Sequence, residues 1–150
     1  MQKINLICVG SIKEKYLKDA LAEYQKRLGR FCNFSVVEIS EEAKLETNQK
    51  IESESNSILK KCSGKIALFD RKGADFSSED LAEFLKANQT EPVLNFVIGG
   101  SNGVSDQLFK KANTKIKFGN ATFPHQLFRV LAAEQIYRAF TINAKMPYHK

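Results

Sequence analysis

The last third of the chain reads twice as strand, glycine-bearing loop, helix, and this repetition constrains the fold more than any other feature. An apolar run over residues 93–98 leads into Gly99-Gly100-Ser101-Asn102-Gly103 and a helix from about Ser105. A second strand over residues 115–118 leads into Gly119-Asn120-Ala121-Thr122-Phe123 and a helix opening at Pro124. Two such loops at the carboxyl ends of neighbouring parallel strands form a crevice lined by main-chain amides. The chain then ends in Pro147-Tyr148-His149-Lys150, an aromatic, an imidazole and a cation on a mobile terminus. A ligand crevice beside a reactive tail points to an enzyme rather than a scaffold.

The rest of the chain alternates in the same way. Short apolar runs over residues 4–9, 34–39 and 65–69 read as strands, the last closed by a loop at Asp70-Arg71-Lys72-Gly73. Between them, Tyr16, Leu17, Ala20, Leu21, Tyr24 and Leu28 recur at helical spacing and stop at Gly29. Residues 40–62 predict a flexible loop over 41–48 and then a helix with a long exposed face, its apolar Ile51, Ile58 and Leu59 widely spaced. Ser78, Leu81, Phe84 and Leu85 mark another helix, with Ser77 or Ser78 as its cap. Strands alternating with helices predict a parallel α/β sheet, and 150 residues without a linker or repeat predict one domain spanning residues 1–150.

The final helix is unusual. Leu127, Phe128, Val130, Leu131, Ile136, Tyr137 and Phe140 point in nearly every direction around an axis that turns about 100° per residue. Such a helix needs cover on more than one side. A homodimer with this helix at the interface is one solution; burial wholly within one subunit is the other.

Charge is uneven. Residues 1–30 hold seven Lys/Arg against three acids, and residues 110–150 hold eight against Glu134 alone. Residues 38–54 hold six Glu against Lys44 and Lys50. Basic ends suit a polyanion, because each neutralised phosphate releases counterions; Lys13, Lys15, Arg129 and Lys150 are the candidate phosphate contacts, with a solvated surface as the alternative. No run of about 18 apolar residues is present, which excludes a spanning helix. The short apolar start, followed at once by Lys13, Glu14 and Lys15, reads as a strand and not a signal peptide, so a cytoplasmic location is expected. Cys8, Cys32 and Cys62 show neither metal nor disulfide spacing and are expected to be reduced, buried groups; no metal is expected. The loop at Gly99 lacks the lysine of a P-loop, which argues for a ligand without phosphates.

Several blocks together carry a resemblance. Phe96-Val97-Ile98-Gly99-Gly100-Ser101-Asn102-Gly103, Thr122-Phe123-Pro124-His125-Gln126, Glu134-Gln135-Ile136-Tyr137-Arg138-Ala139 and Tyr148-His149-Lys150 resemble the bacterial RlmH family in order and spacing. Val9-Gly10 and Glu23-Tyr24-Gln25-Lys26-Arg27-Leu28 fit as well, so the likeness spans the chain. The resemblance implies a SPOUT-class α/β knot: a parallel sheet, helices on both faces and a C-terminal trefoil knot. It implies an obligate homodimer that uses S-adenosyl-L-methionine to methylate N3 of a pseudouridine in 23S ribosomal RNA on the assembled ribosome. By the same resemblance the cofactor positions are Phe69, Gly100, Gly119, Asn120, Ala121, Thr122, Phe123 and Pro124. Phe69 departs from the leucine common among relatives, which alters packing but leaves main-chain contacts possible.

For the reaction, His149 is a candidate for handling the N3 proton, from its own chain or a partner's. Tyr148 is a candidate for stacking on a base, and Arg138 for binding phosphate or charge on the ring. Each has a plainer alternative: an exposed terminal histidine, packing against the last helix, and an ion pair with Glu134 one turn earlier. His125, at the start of that helix, is as well explained by a local hydrogen bond. A non-enzymatic ribosome-binding factor, or a SPOUT enzyme acting on transfer RNA, are the competing functions.

Overall fold

A computed structural model describes residues 1–150. The elements are β1 (Lys3–Val9), α1 (Lys15–Leu28), β2 (Asn33–Ile39), α2 (Thr47–Lys61), β3 (Lys65–Asp75), α3 (Ser78–Ala87), β4 (Val93–Ile98), α4 (Asp106–Lys111), β5 (Thr114–Lys117) and α5 (His125–Asn143). The strands form one sheet in the order β2-β1-β4-β3-β5, and every pairing is parallel. All five carboxyl ends therefore lie along one edge, where a ligand crevice is expected in an open α/β sheet.

Alternation along the strands divides the core into two layers. Ile4, Leu6 and Cys8 of β1, Ala67 and Phe69 of β3, and Leu94, Phe96 and Ile98 of β4 face the layer under α1, α3 and α5. Ile7, Ile66, Leu68 and Val97 face the other layer, with Ile58 of α2 and Leu108 of α4. Burial on both faces explains why these strands read as continuous apolar runs. Asn95 is the polar exception in β4. Fully buried, it donates from Nδ2 to the carbonyls of Ser63 and Lys65 and accepts from Asn5 Nδ2 at 3.0 Å.

Local chemistry sets the helix ends. Ser77 and Asp80 form a reciprocal capping box on α3, and the Ser105 hydroxyl caps α4 by accepting from the Leu108 amide at 3.1 Å. Pro124 is the N-cap of α5 rather than its first residue. All three cysteines are free thiols, and burial pushes Cys8 and Cys32 up to about 12.

Two expectations change. The third strand does not end at Phe69. Residues 70–73 bulge outward, and the chain rejoins β5 where Ala74 meets Ile116 and Asp75 meets Lys117. Gly73 makes this return possible: a Cβ there would lie 2.5 Å from the Ile116 amide nitrogen. The second change concerns α5, much of whose apolar surface is covered within its own subunit. It packs between α1 and α3, burying Val130, Ala132, Ala133, Ile136, Tyr137 and Ala139, while Phe140 stacks on Phe31. Leu127 stays exposed, and Leu131 is half-buried on the same side one turn later.

Asn95→Ala strips the Ser63 and Lys65 carbonyls and the Asn5 amide of a partner at a fully buried position. The expected loss is about 2–4 kcal/mol, read as a lower urea midpoint at unchanged slope; a loss within experimental error would contradict this role.

Candidate functional site

The loops at the carboxyl edge converge from β3, β4 and β5. Phe69 turns its ring inward, against Phe96, Phe118 and Phe128 with centroids 5.9, 5.3 and 5.2 Å away. Only its main chain and the edge of this aromatic cluster are offered to the crevice. Gly100 is buried, and its carbonyl accepts from the Gly103 amide at 3.0 Å, closing a tight turn.

The loop over residues 119–124 begins under control of a residue not singled out from sequence. Asp75 Oδ1 accepts from the Gly119 amide at 2.8 Å, which fixes the entry at a φ of 78° that glycine adopts without strain. Asp75 reaches this position because β3 continues past its bulge. Beyond Gly119, the amides of Asn120, Ala121, Thr122 and Phe123 donate to no main-chain carbonyl, and their own carbonyls accept from no main-chain amide. A stretch of unspent donors and acceptors, backed by the rings of Phe123, Phe128 and Phe118, fits a ligand that is apolar in part and reads as an uncharged heterocycle edge. These residues fit an adenosyl group.

Behind Gly100 lies a second support invisible to hydropathy. Ser55 and Glu54 of α2 are buried. Ser55 Oγ accepts from the Ser105 amide at 2.9 Å, and Glu54 Oε2 accepts from the Glu42 amide at 3.3 Å. Glu54 Oε1 has no partner and lies 2.5 Å from where a Gly100 Cβ would sit. The expected exposed face of α2 therefore carries two buried polar residues, of which Ser55 holds the turn at Ser105 and Glu54 lies against Gly100.

Arg129 is not available to phosphate. Its side chain is 3% exposed, bonded to Glu38 at 2.7 Å and to the carbonyls of Val9 and Gly10 at 3.3 and 3.1 Å. A guanidinium matches three acceptors at once, so this arginine ties the first turn of α5 to the ends of β1 and β2. His125, four residues earlier, has its pKa lowered by desolvation and then by Arg129.

Arg138, Tyr148 and His149 come together as one cluster. Arg138 forms the ion pair with Glu134 at 2.6 Å, and its guanidinium lies 4.8 Å from the Tyr148 ring centroid. The Tyr148 hydroxyl donates to Glu134 Oε1 at 3.1 Å, and desolvation, followed by bonds to Tyr24 and Glu134, pushes its pKa up to about 12. His149 bridges Arg138 Nη1 at 3.2 Å and Glu79 Oε1 at 2.6 Å. The tail expected to be mobile is thus docked on α5 and α3. It stands far from the loops of its own chain: Arg138 follows His125 by thirteen positions, a rise of about 20 Å along α5.

Residues 2–149 match a family model described as "Predicted SPOUT methyltransferase". The chain belongs to the SPOUT methyltransferase family. Within it, the chain is similar to proteins named ribosomal RNA large subunit methyltransferase H. It is 44% identical to that of Streptococcus uberis, over 99% of both chains. It is 46% identical to those of Caldicellulosiruptor saccharolyticus and Ligilactobacillus salivarius, over 98% of this chain and 99% of theirs. As a SPOUT methyltransferase it is an enzyme, and its five-stranded parallel sheet with helices on both sides agrees with that fold. No helix is long and apolar enough to cross a membrane.

At Glu79 the tail latch is the hydrogen bond with His149. Hydrogen bonding from His149 holds the Glu79 carboxyl below its usual range, so the latch contributes above that range and is lost as pH falls through the lowered value. Glu79→Gln is expected to raise backbone mobility of Tyr148–Lys150 in NMR relaxation at neutral pH, with α5 unchanged. Tail relaxation identical to the parent would contradict the latch.

Proposed function

We propose that this enzyme transfers a methyl group from S-adenosyl-L-methionine to N3 of a pseudouridine in 23S ribosomal RNA, with the assembled ribosome as substrate and the cytoplasm as its location. The observation that supports the reading is the loop over residues 119–124, in which the main-chain groups of Asn120 to Phe123 are spent on no other main-chain group. The names of the full-length relatives support the ribosomal substrate. So do the Lys/Arg-rich stretches over residues 1–30 and 110–150, which suit a polyanionic target.

When bound, the cofactor supplies an electrophilic sulfonium methyl. The chain's work is orientation. Main-chain groups of Asn120 to Phe123 would hold the adenine edge, with Phe69 and Phe118 as the apolar side chains behind the loop and Gly100 as the position that admits close approach. Holding the acceptor nitrogen in line is worth several kcal/mol of barrier. Arg138, held between Glu134 and Tyr148, offers a fixed cation to a ring that loses its N3 proton, and His149 beside it can take that proton once its Nδ1 is released from Arg138 Nη1.

These three residues stand about 20 Å from the loops of their own chain. The reading therefore includes a homodimer in which the tail of one protomer completes the crevice of the other. The exposed and half-buried Leu127 and Leu131 of α5, with exposed Tyr16 of α1, offer an apolar face for that contact. The trefoil knot belongs to the same reading, as a feature of the family's fold; β5 is the outer strand, and the α5 that follows it packs between α1 and α3.

Labelled methyl groups should enter intact ribosomes, and not transfer RNA. Label confined to transfer RNA, or none in any RNA, would reject the substrate. At a cofactor concentration 100 times its Kd, stability should rise by about 2.7 kcal/mol. Gly100→Ala, whose methyl meets Glu54, should weaken cofactor binding by at least about tenfold. The dimer has its own test: Gly100→Ala and Arg138→Ala protomers, each inactive alone, should recover about a quarter of parental activity after subunit exchange, because half the dimers then hold one intact site. No recovery from verified heterodimers would place the tail in its own protomer's site.

A further inference from the structure

A cleft of about 530 Å³ opens at the carboxyl ends of β1, β2 and β4, walled by Ser11, Lys13, Ser40, Ser101, His125 and Gln126 together with Gly10, Gly100 and the β2 end. Its size is that of a small-molecule pocket. Gly100 lines this cleft and is among the positions proposed for the cofactor, and His125 of the cleft follows directly on Pro124 of the 119–124 loop, so the cleft lies beside the proposed cofactor position. Their chemistry differs. The crevice is backed by phenylalanine rings; the cleft is lined by hydroxyls, an amide and an imidazole, with Val9 and Ile39 as its apolar members.

Charge narrows the occupant. The two acids lining the cleft are already paired, Glu38 with Arg129 and Glu41 with Lys50 at 3.0 Å. Buried Glu54 lies behind Gly100. Lys13 is exposed, and its ammonium pairs with no carboxylate, while its main-chain N–H donates to Gln126 Oε1 at 2.9 Å. That bond joins the turn after β1 to the first turn of α5 and sets the mouth of the cleft. A near-neutral polar interior with one unpaired cation at the rim suits an uncharged base carrying donors and acceptors, attached to a phosphodiester. A free polyanion would meet too few cations here, and the one unpaired carboxylate oxygen, on Glu54, is buried behind Gly100 and closed to a cationic ligand.

We infer that this cleft is the acceptor pocket: it receives a pyrimidine nucleotide swung out of its RNA stack, with the base against Ser101, His125 and Gln126 and the phosphate at Lys13. A stacked base cannot present N3 to a buried methyl donor, so an enzyme acting there needs a pocket of this kind beside its cofactor. The inference rests on the ribosomal RNA reading for the identity of the nucleotide, and on the cleft itself for the place.

Two measurements separate them. The full chain, labelled with nitrogen-15 and saturated with S-adenosylhomocysteine, is titrated with uridine 5′-monophosphate. Amide shifts are expected at Gly10, Ser11, Ser101 and Gln126, with affinity at least about fivefold weaker in Lys13→Gln. In parallel, Lys13→Gln and Gln126→Ala should lower kcat/KM for ribosomes at least about tenfold with cofactor Kd unchanged, while Lys86→Gln, an equal charge loss on α3, changes it less than about twofold. Nucleotide shifts in the cleft without ribosome methylation by the parent enzyme would sink the substrate and keep the pocket. Ribosome methylation unaffected by Lys13→Gln and Gln126→Ala, or shifts confined to other regions, would sink the pocket and keep the substrate.

Discussion

The site depends on one buried cation. Arg129 is surrounded by protein, and a guanidinium taken from water must find acceptors in fixed places. It finds Glu38 at the end of β2 and two carbonyls at the end of β1. Because Arg129 stands in the first turns of α5, these bonds fix where that helix begins, and therefore where the loop over residues 119–124 must land. The same bonds shape the polar cleft on one side of Gly100 and leave the main-chain groups of Asn120 to Phe123 unspent on the other. Breaking one partner of such an arrangement leaves an uncompensated charge, at a cost of about 3–5 kcal/mol.

Around that anchor, few side chains hold the loops at the carboxyl edge. Asp75 holds Gly119, Ser55 holds the Ser105 amide, and Glu54 presses on Gly100. Charged chemistry is concentrated instead at the far end of α5, where Glu134, Arg138, Tyr148, His149 and Glu79 interlock. A nineteen-residue helix thus carries the cofactor loop at one end and the tail cluster at the other, and its length keeps the two apart within one protomer.

Much of this was legible in the chain because buried parallel strands write themselves as apolar runs and helices as 3.6-residue stripes. All five strands and the two glycine loops follow from that. What failed to show has physical reasons. The return of β3 after its bulge is encoded by one glycine and a main-chain approach, which leaves no hydropathy signal. Glu54 and Ser55 read as solvent-facing because their burial depends on which loop lies over α2. Arg129 read as a phosphate contact because a sequence counts charge without showing its partner across 91 positions, Glu38. The pairing of Arg138 with Glu134 was visible as a four-residue spacing, whereas the docking of Tyr148 and His149 on it was not. The all-round apolar α5 pointed to cover on several sides; α1 and α3 provide much of it, and Leu127 is what they leave.

The central claim is that main-chain groups after Gly119 bind the adenosyl group, and amide hydrogen exchange reads those groups directly. The amides of Asn120, Ala121, Thr122 and Phe123 have no internal main-chain acceptor and should exchange rapidly in the free enzyme. Saturation with S-adenosyl-L-methionine should slow several of them by at least about tenfold while amides in β2 stay unchanged. Exchange at all four that remains as fast with the cofactor bound as without it would show that the ligand is held elsewhere.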